Sequence, residues 1–163
     1  MRSYRTISLA LAVLVPTICH GEAKCPWMNE ATAGGILGGA VITSASITAH
    51  GDGLCEFTRQ QGTILRQLRI SVSIMTDIPK QFPAFLAQCP PKSPHLEAVG
   101  NEAVTCSMDS KAELYAEHVV GRVREKAFAV SVSSSVWNDP AMTSQMRRAK
   151  ANLAAEQVAG ILF

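Results

Sequence analysis

Three arginines and one histidine are the residues of this chain whose placement suggests chemistry. Arg69, Arg122 and Arg124 fall out of phase with the large apolar residues of two alternating stretches, and His118 shares that phase. Alternate side chains of an extended chain share a face. The four are therefore expected on one side of a sheet, beside the small residues Ala129 and Ser131. Guanidinium groups in that setting suit a small anionic ligand or the carboxylates of a partner protein, because the planar fork donates paired hydrogen bonds. The plainer reading of the same residues is a solvated strand face, or arginines paired with acids on a covering helix.

Other chemistries find less support. Serines are plentiful, but there is no Gly-x-Ser-x-Gly elbow and no His-Glu-x-x-His, so a secreted hydrolase is the alternative reading and carries no motif. The glycines between Gly34 and Gly39 match neither a phosphate loop nor a dinucleotide fingerprint. His50, His95 and His118 stand alone in sequence and no Cys-x-x-Cys occurs, so neither a metal nor a cofactor is expected. A net charge of only +2 over 163 residues gives no reason to expect nucleic acid as a partner.

The cysteines speak for structure. Cys25, Cys55, Cys89 and Cys106 form an even set in a chain with an export-type start, which reads as two disulfides with three connectivities open. Pairing in sequence order, Cys25 with Cys55 and Cys89 with Cys106, gives each half of the chain its own staple and is the expected one.

That start has three parts. Arg2 and Arg5 precede an apolar run from Ile7 to Val15, Pro16 breaks it, and Gly21-Glu22-Ala23 supplies small residues for cleavage. The run is far shorter than the roughly 20 residues a spanning helix needs. Residues 1–23 are read as a signal peptide and 24–163 as a single domain in the periplasm or outside the cell. A lipid on Cys19 is disfavoured by Ile18 just before it.

The elements that must position these groups follow from periodicity. Leu68, Ile70, Val72 and Ile74 alternate with polar residues, and Phe128, Val130 and Val132 do so sixty residues on. These read as paired or equivalent core strands, and the echo raises the suspicion of an internal duplication. Further strands are expected over 40–48, 54–59, 103–106 and 114–124, with turns at His50–Gly53 and Met108–Lys111 and a hairpin connection at Glu125-Lys126.

A helix is expected from Pro26 to Gly38, its glycines packed closely on the sheet, and a second from Asp77 to Leu86. The last is expected to start at Asp139 as N-cap with Pro140 in its first position. Met142, Met146, Ala149, Leu153, Val158, Ile161 and Leu162 would form its buried stripe, with Arg147, Arg148 and Lys150 on the wet side. The sum is an α+β fold: a mostly antiparallel sheet of about six strands packed against three helices, in the order α-βββ-α-βββ-α.

The early Cys before a Gly-ended helix, the Cys55-Glu56-Phe57 strand, Val-Gly-Asn-Glu-Ala at 99–103 and a terminal Ala-x-x-Val-Ala helix together resemble small exported bacterial domains of unknown function. They are similar to the secreted lipoprotein domains of actinobacteria, which look related to the PsbP-like α/β/α sandwich. The resemblance implies a fold and carries no catalytic residue across. The expectation for function is accordingly a non-catalytic binding or interaction module of the cell envelope, with a structural envelope component or an inhibitor as further alternatives.

Overall fold

The computed structural model describes residues 24–109 and 114–163; the proposed signal peptide, Cys19 and part of the expected turn at 108–111 lie outside them. The described chain runs α1 (Glu30–Leu37), β1 (Ile42–Ile47), β2 (Gly53–Gln61), β3 (Ile64–Ile74), α2 (Ile78–Leu86), β4 (Glu102–Asp109), β5 (Tyr115–Val123), β6 (Lys126–Ser134) and α3 (Ser144–Leu162). The six strands form one sheet in the order β1-β2-β3-β6-β5-β4, antiparallel at every junction. The expected α+β class, element order and both disulfides, Cys25–Cys55 and Cys89–Cys106, are present.

The two echoing segments are β3 and β6, and they pair with each other down the middle of the sheet. Ile70 lies opposite Val130, Leu68 opposite Val132 and Val72 opposite Phe128. A two-fold axis between Ile70 and Val130 carries Leu68 onto Phe128 and Val72 onto Val132, which is the sixty-residue offset seen in the sequence. The sheet is thus two three-stranded meanders joined at one line. The helices break the symmetry: α1 packs on β2 and β3, whereas α2 lies over the other face, against β5.

One face of the sheet is the main core. Cys55, Phe57, Leu68, Ile70, Val72, Val119, Val123, Phe128, Val130 and Val132 all point into the layer made by α1, α3, Trp27 and Met28. Each large side chain fully buried there stabilises the fold by about 1.5–3 kcal/mol. Gly121 lets the Phe128 ring approach β5 closely, since a Cβ at 121 would stand 2.7 Å from that ring.

Several local expectations are corrected. Helix α1 begins at Glu30, capped by Asn29 through a 2.8 Å bond from the Thr32 amide, not at Pro26. The Cys25–Cys55 bridge and the burial of Trp27 and Met28 hold the preceding segment, bent at Pro26 and Trp27, against the core. Gly38 does end α1, at φ +86. Gly34 in α1 and Gly39 just beyond it make room for the returning chain and an arginine instead of the sheet. A Cβ at Gly34 would meet the Gly39 carbonyl, and one at Gly39 would meet the Arg59 guanidinium, both at 2.8 Å. That guanidinium donates to the Leu37 carbonyl at 3.0 Å, and Lys150 donates to the Ile36 carbonyl. Two cations from elsewhere in the chain therefore meet the negative end of α1.

Helix α3 starts at Ser144 under a Thr143 cap, four residues later than the expected start at Pro140 under an Asp139 cap. Asp139 caps only a turn, its Oδ1 accepting from the Ala141 amide at 3.0 Å, and both of its carboxylate oxygens bind Arg66. The buried side of the helix is shifted from the expected one. Val158 and Leu162 are buried as expected, joined by Arg147, Ala151, Ala154, Ala155 and Ala159, whereas Met146, Leu153 and Ile161 are exposed. Alanines permit close approach to a sheet face already filled with Phe and Val, which outweighs the larger apolar stripe. Arg147 is 1% exposed rather than wet, and its Nη1 donates to the Met142 carbonyl at 2.7 Å.

The β5–β6 connection is a two-residue hairpin at Arg124-Glu125, one residue earlier than read. Arg124 takes φ +53, a conformation glycine usually fills. Asn101 holds it there, its Oδ1 accepting from the Arg124 amide at 2.6 Å.

Candidate functional site

The second face of the sheet is divided between helix and cavity. Strand alternation sends Gln67, Arg69, Ser71 and Ser73 of β3, Ala127, Ala129, Ser131 and Ser133 of β6, and Ala116, His118, Val120 and Arg122 of β5 to this side. Helix α2 covers one end, where Phe82 packs on Met75 and Ala127, and Phe85 and Leu86 reach Val120 and the Cys89–Cys106 bridge. The Asp77 cap and Pro79 in the first turn fix where α2 begins. The helix stops at Leu86, so the other end of the face is not covered by it.

A cavity of about 470 Å³ opens there. Its floor is Ser71, Ala129, Ser131 and Ser133, side chains too short to fill the space that Val and Phe fill on the opposite face. Gln67, Arg69, His118 and Gln88 supply polar groups at the walls, and Leu54, Met108 and Leu114 supply apolar ones. The volume is within the range of small-molecule sites, which combine apolar walls with a few placed polar groups.

Arg69, Ser131 and His118 lie in one cross-strand row, since Arg69 pairs with Ser131 and Ser131 with His118. Arg69 Nε lies 3.1 Å from Glu56 in an ion pair, and Gln67 Nε2 donates to the same carboxylate at 3.0 Å. Glu56 on β2 thus fixes two cavity side chains from outside. The pKa of His118 is lowered, first by burial, then by the Arg69 charge, with Glu117 opposing. The imidazole is neutral at neutral pH, with one donor and one acceptor nitrogen. Glu117 points to the other face, where Ser107, Ser144 and Arg148 hold its carboxylate. Chemically the row can donate to an anion and exchange neutral hydrogen bonds. The charge facing His118 is a cation, whereas orienting an imidazole as a base calls for an acid.

The four residues singled out in the sequence separate into two groups. Arg69 and His118 border the cavity. Arg122 lies on the same face but four residues along β5 from His118, about 13 Å away by strand geometry. It sits under α2, 5.6 Å from the Phe82 ring centre and 3.6 Å from Glu102. Arg124 occupies the exposed hairpin turn. Gln67, Gln88, Ser71 and Ser133 were not singled out. The alternation of short side chains in β6 was the available signal for the floor. Gln88 reaches the cavity only through the path of the chain after α2. Among the described residues no three His, Cys, Asp or Glu side chains are grouped as a metal would need, and no helix is long and apolar enough to cross a membrane.

No protein-family model and no curated protein matches this chain.

Proposed function

We propose that the protein is an exported, non-catalytic binding module of the cell envelope, and that the cavity on the α2 face takes a small anionic ligand, a carboxylate in the first instance. The observation that carries this reading is the row Arg69–Ser131–His118 at the floor and wall of a 470 Å³ cavity. Glu56 engages the Arg69 guanidinium through Nε, and a guanidinium has four further N–H donors for a ligand. The hydroxyls of Ser131 and Ser133 and the amides of Gln67 and Gln88 offer neutral hydrogen bonds around it, in the pattern by which Arg reads planar acids.

The export part of the reading rests on the charged, apolar and small-residue sequence of residues 1–23. Two disulfides fit an oxidising compartment. The resemblance to secreted actinobacterial domains points the same way.

The test is a calorimetric and thermal-shift screen of the purified protein against small mono- and dicarboxylates and sugar acids. We expect at least one to raise the melting temperature. Arg69→Ala should weaken that ligand about 10–100-fold, the worth of a charge-assisted hydrogen bond. Ser131→Leu, which fills the floor, should abolish binding. A ligand whose affinity is indifferent to both changes, or a screen in which no acid binds, would count against the site.

A further inference from the structure

The two edges of the sheet are finished differently. Beyond β4, the segment 94–96 runs alongside: the Thr105 amide donates to the Pro94 carbonyl and the Leu96 amide to the Ala103 carbonyl, both at 2.9 Å, and His95 bridges to Val104. Beyond β1, no described residue pairs. Exposed edges are ordinarily guarded by charge, proline or a bulge. The stretch from Ala40 to Thr48, Ala-Val-Ile-Thr-Ser-Ala-Ser-Ile-Thr, has no charged residue and no proline. Ile42 is 76% exposed.

Which backbone groups are free at that edge follows from the ladder. The Thr48 amide donates to the Asp52 carbonyl, continuing the β1–β2 register. Antiparallel bonding alternates along a strand, so Ile42, Ser44 and Ser46 bond inward to β2. The N–H and C=O groups of Thr43, Ala45 and Ile47 point outward.

From this we infer that β1 pairs with β1 of a second copy of the same chain, antiparallel, about a two-fold axis at Ala45. That register places Ala45 opposite Ala45, Thr43 opposite Ile47 and Ser44 opposite Ser46. Every outward-pointing residue then meets an outward-pointing residue, and both ladder bonds form at each such pair. The strand suits its own copy in charge as well, since a two-fold interface brings like residues near one another and none here is charged.

Side chains agree on both faces. Ser44 and Ser46 form hydroxyl pairs on the α2 side. On the core side, α1 stops short of β1, and a cavity of about 500 Å³ opens at Met28, Thr43 and Phe57. Ile47 of the second copy arrives beside Thr43 at that opening. A strand pair of this length is a small interface, so the dimer is reversible, with a Kd of about 1–100 µM. The axis is perpendicular to the sheet, which leaves both α2-face cavities open on the same side of the joined sheet.

The test is sedimentation equilibrium of the purified protein over a concentration series, with three variants. The wild-type mass should rise toward twice the monomer mass. Ser44→Lys/Ser46→Lys sets lysine against lysine twice across the axis and should raise the Kd about tenfold. Ser44→Lys/Ser46→Glu sets lysine against glutamate and should restore the wild-type Kd. Ala45→Pro removes only an outward N–H and should leave a monomer. Should that variant not fold, as judged by near-ultraviolet circular dichroism, the charge pair alone decides. A wild type that stays monomeric throughout, including one that instead captures an extended peptide on β1, overturns the inference. So does self-association that the double lysine leaves intact, or that the lysine–glutamate variant fails to recover.

Discussion

Asp139→Ala should destabilise the protein by about 3–5 kcal/mol, the cost of leaving a buried guanidinium without its acid. Arg66 Nε and Nη2 reach the two Asp139 oxygens at 2.6 and 2.7 Å, with the pair 3% and 0% exposed. Ser134 Oγ and the Ala141 amide complete the carboxylate's partners at 2.9 and 3.0 Å. The Arg66 bond is the chief cause that holds Asp139 at about 2, against an ordinary value of 3.8.

The sign follows from linkage. A carboxyl whose folded value is depressed stabilises the fold above its unfolded value, and that stabilisation is lost as pH falls through 3.8 toward 2. A shift of that size corresponds to about 2.5 kcal/mol. Chemical denaturation at pH 7 and pH 3 measures both effects. The wild type should lose stability between the two pH values by more than Asp139→Ala does, and Arg66→Met/Asp139→Leu should recover much of the loss at pH 7. A stability unchanged by Asp139→Ala would show the pair to be inert.

Replacing Cys25 and Cys55 by alanine should cost about 3–4 kcal/mol, the loop-closure entropy of a bridge spanning 30 residues. The loss should exceed that for the Cys89–Cys106 bridge, which spans 17 residues. The first bridge also ties the segment carrying Trp27 and Met28, both 5% exposed, onto β2. Its removal should therefore release core residues, seen as a red-shifted tryptophan emission, in addition to lowering the urea midpoint. Trp137 is already half-exposed against Tyr115 and should contribute little to that change.

Legibility in the sequence tracked how local the deciding interaction was. The strands were readable because alternation along β3 and β6 is imposed by burial of a single face, and no distant residue changes that parity. The same parity put Arg69, His118 and Arg122 on one face. It could not say how far apart they stand, because distance along the face depends on register and on where α2 lies. Asn138-Asp139-Pro140 read as a helix start because the local pattern is a good one. The partner that overrides it, Arg66, is 73 residues away. In α3 two stripes share helical spacing, one of alanines and one of Met146, Leu153 and Ile161. Choosing between them needed the fullness of the facing strands, which no single helix sequence contains. The cavity is made by three strands and the chain after α2, so its members have no common spacing.

The arrangement of two meanders meeting only along β3 and β6 bears on the order in which the molecule assembles. Each disulfide lies within one meander and its flanking segment, 25–55 in the first and 89–106 in the second. Either bridge can therefore close while the other half is still unfolded. The strand pairing that requires both halves is the docking of β3 on β6, whose partners lie 52 to 68 positions apart in the chain. Such non-local pairing is the slow part of β assembly. Truncations at Ile70 and Val130 should then retard folding, whereas truncations at the outer strands, such as Ile47→Ala or Met108→Ala, should chiefly accelerate unfolding.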